Sequence, residues 1–462
     1  MWRVSRSLAV VCLLGSTLCA ADPVDDLARK QMSRGHIPAM AVVVVRNGTV
    51  EKVAAYGTAA LDWDAPASPR TAFQLASGTK AFTGILLMKL VEQGKLRLDD
   101  AVTRHLPDAP DPWKGITVRH LAAHTSGLQR DPGGGKPFAT VDEAVTAAYA
   151  LPLEYETGAR SQYGLTDFVV LTRIMEKVSG QGFVDLLRDQ IARPLGLEDT
   201  VFDDAVDEGD RRSWLPVRHR ATTYRWSGGT QRAYQFYYPK YTYSAGGLFS
   251  SASDVAKLLV ALAPGRFLKP GTLDEMWAPV PLNGGGKGEF AVGWVSGRYR
   301  GLRAVGHSGG PALSDLLYFP DQKLGIAVLT NQGALFPILA ELVADIYLPE
   351  EARTPDPEVA DTEPQVTERL RGLVSALGEG TVRDEDYSPE ARERLLPMVR
   401  EFGVPLIRQL DPLSGFRLIA RKRDADRTEY TYRATFSRHP MKWRFVLDKE
   451  GRILDLEPGS RD

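Results

Sequence analysis

Cysteine is almost absent from this sequence: two in 462 residues, Cys12 and Cys19, both near the N-terminus. No charge sign dominates either, with 57 basic side chains against 58 acidic. That balance removes the electrostatic argument for nucleic acid or an anionic membrane surface as a partner. There is no phosphate loop, dinucleotide fingerprint or calcium loop, so no cofactor is expected. The apolar run from Leu8 to Leu14 is too short to span a bilayer. Set between Arg3 and Arg6 and the small residues Cys19-Ala20-Ala21, it reads as an export signal. Cleavage is expected after Ala21, with Ala20 the neighbouring choice. Both cysteines leave with the signal, which excludes a disulfide, a cysteine nucleophile or a cysteine metal site in the mature chain. The bulky Leu18 directly before Cys19 disfavours a lipoprotein anchor. A periplasmic or extracellular protein with no transmembrane segment is the expectation.

What the sequence does contain is Gln74-Leu75-Ala76-Ser77-Gly78-Thr79-Lys80, opening a long apolar run to Val91. Residues i and i+3 share a helix face, so the spacing lets the Lys80 amine reach the Ser77 hydroxyl. A helix N-terminus adds unsatisfied N–H groups and partial positive charge, which favour an alkoxide and the oxyanion it creates. These are the parts of an activated nucleophile. S-x-x-K alone is a short pattern, and the rest of the chain has to supply its partners.

An amphipathic helix, Val24 to Met32, precedes two β-rich runs, Met40 to Val45 and Val50 to Tyr56, around Asn47-Gly48. That is a hairpin signal, and the unbroken valines predict a strand buried on both faces. From Phe73 to about Ser179 the pattern is mostly helical: the Ser77 helix to near Gly94, then Val118 to His124, Val141 to Ala150 and Leu165 to Val178. The aromatic segment from Asp203 to Tyr243 has weak periodicity and reads as excursions over a cleft. Strands are predicted at Phe290 to Val295, Leu302 to Val305, Leu313 to Phe319 and Leu324 to Asn331, then a helix from Ala334 to Tyr347. The order implies an α+β fold: an antiparallel sheet built from both ends of a domain, with a helical half inserted. Residues 349–364 are rich in proline and acid and read as a linker. Beyond it, helices at Val366 to Leu377 and Pro389 to Phe402 and alternating strands around Tyr432 and Trp443 predict a small α+β accessory domain, 365–462, whose partner the sequence does not reveal.

Three further motifs bear on chemistry. Tyr163 follows a turn where a helix begins; beside a lysine ammonium its phenolate would be favoured and could act as a base. In Gly306-His307-Ser308-Gly309-Gly310, glycines allow close backbone approach to a substrate, and the Gly310 N–H could join that of Ser77 as an oxyanion donor. The same residues satisfy G-x-S-x-G, but that motif needs a helix directly after it, and Pro311 and a β-like run follow, so Ser308 is rejected as a nucleophile. His120 and His124 have metal-ligand spacing without a third ligand nearby, and a capped helix end is the better reading. No metal site is expected.

Ser77-x-x-Lys80, then Tyr163, then His307-Ser308-Gly309-Gly310 on a late strand resemble, in order, the three active-site motifs of the serine β-lactamase and penicillin-binding protein superfamily. His120 to Leu128, Tyr243 to Asp254 and Phe290 to Trp294 are similar to its class C β-lactamase-like branch, which includes esterases, D-aminopeptidases and DD-carboxypeptidases. The resemblance spans about Asp25 to Leu348, within a hydrolase domain placed at 22–348. It implies the β-lactamase/DD-peptidase-like fold, attack by Ser77, proton movement by Lys80 and Tyr163 and a role for His307. It also implies an oxyanion site at the Ser77 and Gly310 N–H groups, substrate contacts from Ser308, Gly309 and residue 165, and no metal. Two departures stand out. The family's second motif is usually Tyr-x-Asn, whereas this chain has Tyr163-Gly164-Leu165; leucine cannot hydrogen-bond a substrate amide. The third motif usually begins with lysine, and His307 is a weaker fixed cation near neutral pH.

The expected activity is cleavage of an ester or amide, in a small molecule or peptide, through an acyl-enzyme on Ser77. A β-lactamase or cell-wall DD-carboxypeptidase is the enzyme alternative, and a catalytically silent binding protein is the alternative from another class. The export reading makes a direct prediction: N-terminal sequencing of the exported protein begins at Asp22, and retention of Met1 contradicts it.

Overall fold

The structure is a computed structural model, and it describes residues 22–135, 137–208, 211–310, 312–349, 356, 359–437 and 439–459. The export-signal reading and half of the residues in the linker reading fall outside the described residues. Helix α1 (Pro23–Arg34) is capped by Asp22, whose side chain accepts from Val24 N–H at 2.8 Å. The hairpin follows as β1 (Ala39–Arg46) and β2 (Thr49–Ala60), with Val43 opposite Val53. Asn47 and Gly48 both have positive φ, 53° and 70°, the geometry a two-residue hairpin turn requires. β1 is buried on both faces, as the valines predict. Met40, Val42 and Val44 join one core with α1, while Ala41, Val43 and Val45 join another that contains α2 (Thr79–Glu92).

α2 is buried nearly all round, consistent with its apolar sequence and weak amphipathicity. The helical half continues through Val118–Ala122 and Val141–Tyr149 to α3 (Leu165–Ser179), which ends on Gly180 in the left-handed conformation. The chain then returns to the sheet as β3 (Val295–Tyr299), β4 (Leu302–Gly309), β5 (Ala312–Phe319) and β6 (Leu324–Gly333). The strand order is β3-β4-β5-β6-β1-β2, with antiparallel neighbours throughout. Val42 on β1 pairs with Val328 on β6, so the two ends of the domain are joined at the centre of the sheet. Helix α4 (Leu339–Tyr347) closes the unit by packing on the α1 side.

Several details differ from the sequence reading. The strand expected at Phe290 to Val295 is a tight turn, and the extended segment starts only at Val295. Gly293 has φ 75°, and the turn presses onto α2: a Cβ on Gly293 would lie 2.4 Å from Lys80 O, and one on Gly84 would lie 2.2 Å from Val292 O. The apolar run is buried because it packs on a helix, not because it pairs in a sheet. The Val118 helix stops at Ala122, and the closing helix starts at Leu339 rather than Ala334, which has φ 60°. The aromatic segment is divided. Tyr224, Tyr241 and Tyr243 are core residues, with Tyr243 stacked on Phe202 at 4.5 Å, while Trp214, Trp226 and Phe236 stay exposed.

The C-terminal domain is an antiparallel four-stranded meander, β7 (Leu413–Arg423), β8 (Arg427–Phe436), β9 (His439–Asp448) and β10 (Ile453–Gly459), backed by helices Pro364–Glu379 and Pro389–Met398. Tyr432, Trp443, Phe445 and Leu370 centre its core. It is docked on the first domain through buried polar groups. Gln31 donates to Gln409 O at 2.7 Å, Gln409 Oε1 accepts from Phe336 N–H at 2.7 Å, and His439 Nδ1 lies 3.1 Å from Asp345 and 3.0 Å from the Tyr299 hydroxyl.

The contact between Gly84 and the Val292 carbonyl predicts the effect of one methyl group. Gly84→Ala gains helix propensity but forces that carbonyl aside, and is expected to lower stability by about 1–3 kcal/mol. Urea unfolding measures it; an unchanged midpoint would refute the close approach.

Candidate active site

Ser77 does not lie within the α-helix but in the single 3-10 turn Ala76–Gly78 that feeds it. The turn is fixed from three sides. Leu75 N–H donates to Leu248 O at 2.7 Å, Leu75 O accepts from Ser314 Oγ at 2.5 Å, and Gly78 N–H closes on Leu75 O at 2.9 Å. Ala76 has φ 49° although it carries a Cβ, a conformation that costs about 1–3 kcal/mol. Its burial at 0% exposure and the neighbouring anchors hold it there.

Tyr163 sits just before α3, and its hydroxyl donates to Ser77 Oγ at 2.8 Å. The Lys80 amine approaches the same phenol oxygen at 2.5 Å and donates to Ala245 O at 2.8 Å. Lys80 therefore reaches Ser77 through the tyrosine, not directly as the i, i+3 spacing suggested; the 3-10 turn sets Ser77 off the helical face. Nζ also lies 4.6 Å from the Tyr163 ring centroid and 5.2 Å from that of Phe168. Lys80 is 3% exposed, and burial pulls its pKa down to about 7, only partly offset by the field of Asp167. Burial likewise pushes Tyr163 up to about 12, against a smaller opposing effect of its Ser77 hydrogen bond. The phenolate expected beside an ammonium is thus corrected: in a dry pocket both charged forms are disfavoured, and an amine that is only partly protonated near neutral pH faces a neutral phenol.

The third motif runs along β4, with His307 opposite Leu316 and Ser308 opposite Asp315 on β5. No helix follows it, which removes the nucleophile-elbow alternative. A Cβ on Gly309 would lie 2.1 Å from Leu75 O and 2.9 Å from Gly78 N, so this glycine lets β4 pass against the nucleophile turn. Ser308 Oγ donates to Asp315 at 2.8 Å. His307 is nearly buried, its Nδ1 lies 2.8 Å from Ser308 O, and its ring is 6.2 Å from that of Tyr163. Gly310 is exposed, and its carbonyl accepts from Tyr238 Oη at 3.2 Å, a contact through which the aromatic segment reaches over the site. Leu165, the first residue of α3, packs half-buried against the main core.

Ser77, Lys80 and Tyr163 thus converge, and β4 runs alongside them. Of the paired histidines, His120 completes the N-terminal capping box of Val118–Ala122 with Thr117. His124 instead lies 4.6 Å from the Tyr163 ring and 2.9 Å from an Asp167 carboxyl oxygen. Sequence reasoning missed Asp167, Ser126, Ser314, Asp315 and the Ala245 carbonyl. Their partners come from distant segments, and the hints were the stretches His120 to Leu128, which holds Ser126, and Tyr243 to Asp254, which holds Ala245.

A β-lactamase family model matches residues 24–346. Protein flp of Staphylococcus aureus strain MW2 is 29% identical over 222 residues, 45% of this chain and 42% of its own, so the match spans less than half the length of that relative. The N-acetylmuramyl-L-alanine amidase of Bacillus subtilis strain 168 is 28% identical over 355 residues, 67% of this chain and 80% of its own. The octameric penicillin-binding protein homologue from Pyrococcus abyssi shares the fold over 94% of this chain and 99% of its own, with a TM-score of 0.61 at 20% identity. With the family model covering residues 24–346, most of the chain, the protein belongs to the β-lactamase family.

Proposed function

We propose that this protein is an exported serine hydrolase that cleaves an ester or amide through an acyl-enzyme on Ser77. The observation that carries this reading is the continuous path Ser77 Oγ, Tyr163 Oη, Lys80 Nζ, with steps of 2.8 and 2.5 Å. With the phenol hydrogen turned from Ser77 to the neutral Lys80 amine and the Ser77 hydrogen turned to the phenol oxygen, Ser77 Oγ bonds to the carbonyl carbon while its proton passes to the Tyr163 oxygen and the phenol proton passes to Lys80. The carbonyl oxygen becomes an oxyanion, held by the N–H groups of Ser77 and Gly310. Collapse breaks the bond to the leaving group, which takes the proton back along the same path. Water then attacks the acyl carbon, gives up its proton by that path, and Ser77 departs protonated with the free acid as product.

Leu165 bears on the substrate. Its side chain offers no amide group where the family motif usually carries asparagine, so a substrate amide gains no side-chain hydrogen bond there, which disfavours β-lactams and peptides relative to esters and simple amides. His307 supplies a hydrogen-bonding edge rather than the fixed charge of a lysine. Nitrocefin turnover is accordingly expected to fall far below ester turnover.

Two measurements test the reading. A fluorophosphonate probe is expected to lose fluoride and add to Ser77 Oγ, seen by mass spectrometry in the wild type and absent in Ser77→Ala; no adduct on the wild type at any probe concentration defeats it. Because Lys80 accepts a proton only as the free amine, kcat/KM should fall about tenfold per unit as pH drops below about 7. A profile that stays flat through neutrality would exclude Lys80 as the acceptor.

A further inference from the structure

Beside Tyr163 lies a buried polar group that the reaction above does not use. His124 is 1% exposed and has φ 55°, a left-handed conformation that a residue with a Cβ keeps only where its surroundings impose it. Those surroundings are three consecutive residues of the tyrosine turn. Gln162 N–H donates to His124 O at 2.8 Å, the Tyr163 ring lies 4.6 Å from the imidazole, and Gly164 N–H donates to Nδ1 at 3.4 Å. Phe168 and Phe290 close in on the same ring at 5.1 and 5.0 Å. His124 is itself held, because Nδ1 lies 2.9 Å from Asp167 Oδ2, while Asp167 Oδ1 accepts from Ser126 Oγ at 2.5 Å.

The geometry also requires a shared proton. The 2.9 Å contact places one hydrogen between His124 Nδ1 and Asp167 Oδ2, and the weaker 3.4 Å approach of Gly164 N–H to Nδ1 favours its lying on the carboxyl side, with the ring hydrogen on Nε2, which is buried without a hydrogen-bond partner among the described residues. Burial favours the same distribution, pushing Asp167 well above the usual carboxylate range and His124 well below the usual imidazole range. The charged and titratable groups facing the pair are Lys80 from α2, His120 from the short helix before His124, and Tyr155 and Tyr163 from the turn ahead of α3. The Ser126 hydrogen bond, then His120 and Lys80, pull Asp167 the other way, by less than burial pushes it up.

We propose that His124 is the positioning residue for Tyr163, gripping residues 162–164, and that Asp167 holds it as a neutral carboxylic acid hydrogen-bonded to Nδ1. The consequence reaches Lys80. An ionised Asp167 would favour the ammonium, whereas a protonated one leaves the amine free to accept a proton near neutral pH. The inference rests on the relay reading of Ser77, Tyr163 and Lys80.

The test is the pH dependence of kcat and KM for p-nitrophenyl acetate with the full chain, comparing wild type, Asp167→Asn, His124→Leu and Ser77→Ala, with thermal unfolding of each. An asparagine can donate to Nδ1 and accept from Ser126 as the protonated acid does. Asp167→Asn should therefore keep kcat within about threefold and leave the acid limb where it is. His124→Leu should lower kcat roughly 10- to 100-fold at nearly constant KM, because the phenol loses its alignment. An acid limb that moves down by about a unit or more in Asp167→Asn means an ionised carboxylate and overturns the inference. So does a His124→Leu enzyme with wild-type kcat. Should His124→Leu fail to fold, infrared spectroscopy decides: the carbonyl band of a protonated carboxyl group in the wild type at about pH 7 disappears in Asp167→Asn, and a difference spectrum without that band is the overturning result. Activity that survives in Ser77→Ala would instead defeat the relay reading itself, a result that none of the other variants can mimic.

Discussion

The site depends on one unfavourable burial. Lys80 is a lysine at 3% exposure whose amine is held by a phenol and a backbone carbonyl rather than by a carboxylate. Water removed from an ammonium is not replaced by an opposite charge, so the neutral amine gains at the ammonium's expense. The same dryness opposes the phenolate of Tyr163, so a neutral phenol meets an amine that titrates near neutrality across a short hydrogen bond. An amine that titrates near neutrality can both take and return a proton during a reaction cycle, which one with an ordinary lysine pKa cannot do without a large penalty. The apolar character of α2 is thus part of the chemistry: Phe82, Ile85 and Leu86 on that helix are fully buried and help exclude the water that would restore the charge.

Holding Ser77 at the edge of this dry region requires the backbone to be placed by contacts rather than by helical regularity. Ala76 keeps a left-handed φ because Leu75 is tied to Leu248 and Ser314 and because β4 passes against the turn at Gly309. On the opposite side, Gly84 and Gly293 bring a turn directly onto α2. In each place a glycine is required for close approach, and flexibility has no part in it. Helix, turn and strand are consequently locked in register around the serine, and a relay built on separations near 2.8 Å tolerates little movement.

How far this could be read from sequence varies residue by residue. Ser77 and Lys80 were legible because S-x-x-K carries chemical meaning before any fold is known, and Tyr163 because it falls between that motif and the His307 strand in the order of the family's motifs. The hairpin and the burial of β1 on both faces were legible from Asn47-Gly48 and the unbroken valines, whereas the pairing of β1 with β6 came only with the fold. The direction of the Tyr163 shift was misread, because proximity to a cation was weighed and dehydration was not. Phe290 to Val295 was misread because a short apolar run looks the same whether it pairs in a sheet or packs on a helix. Asp167, at the third position of α3, gave no signal at all: an acidic residue in a first helical turn is ordinary, and only the fold brings it against His124 and Ser126.

The C-terminal domain shows the same dependence of local chemistry on distant segments. Asp345 on α4 accepts from the Tyr299 hydroxyl at 2.7 Å and from Arg300 at 3.0 Å, while His439 of β9 closes on it from the other domain. Removing one member of such a buried group strands the charge of another, which costs far more than an exposed pair is worth. α4 also reaches the active-site strands, because Ala340 N–H donates at 2.9 Å to the second carboxyl oxygen of Asp315, the residue that holds Ser308. A continuous polar path therefore runs from Ser308 on β4 through Asp315 and α4 to His439. The docked domain buries the far end of the element that orients Asp315, and so belongs to the framework of the site without lining it.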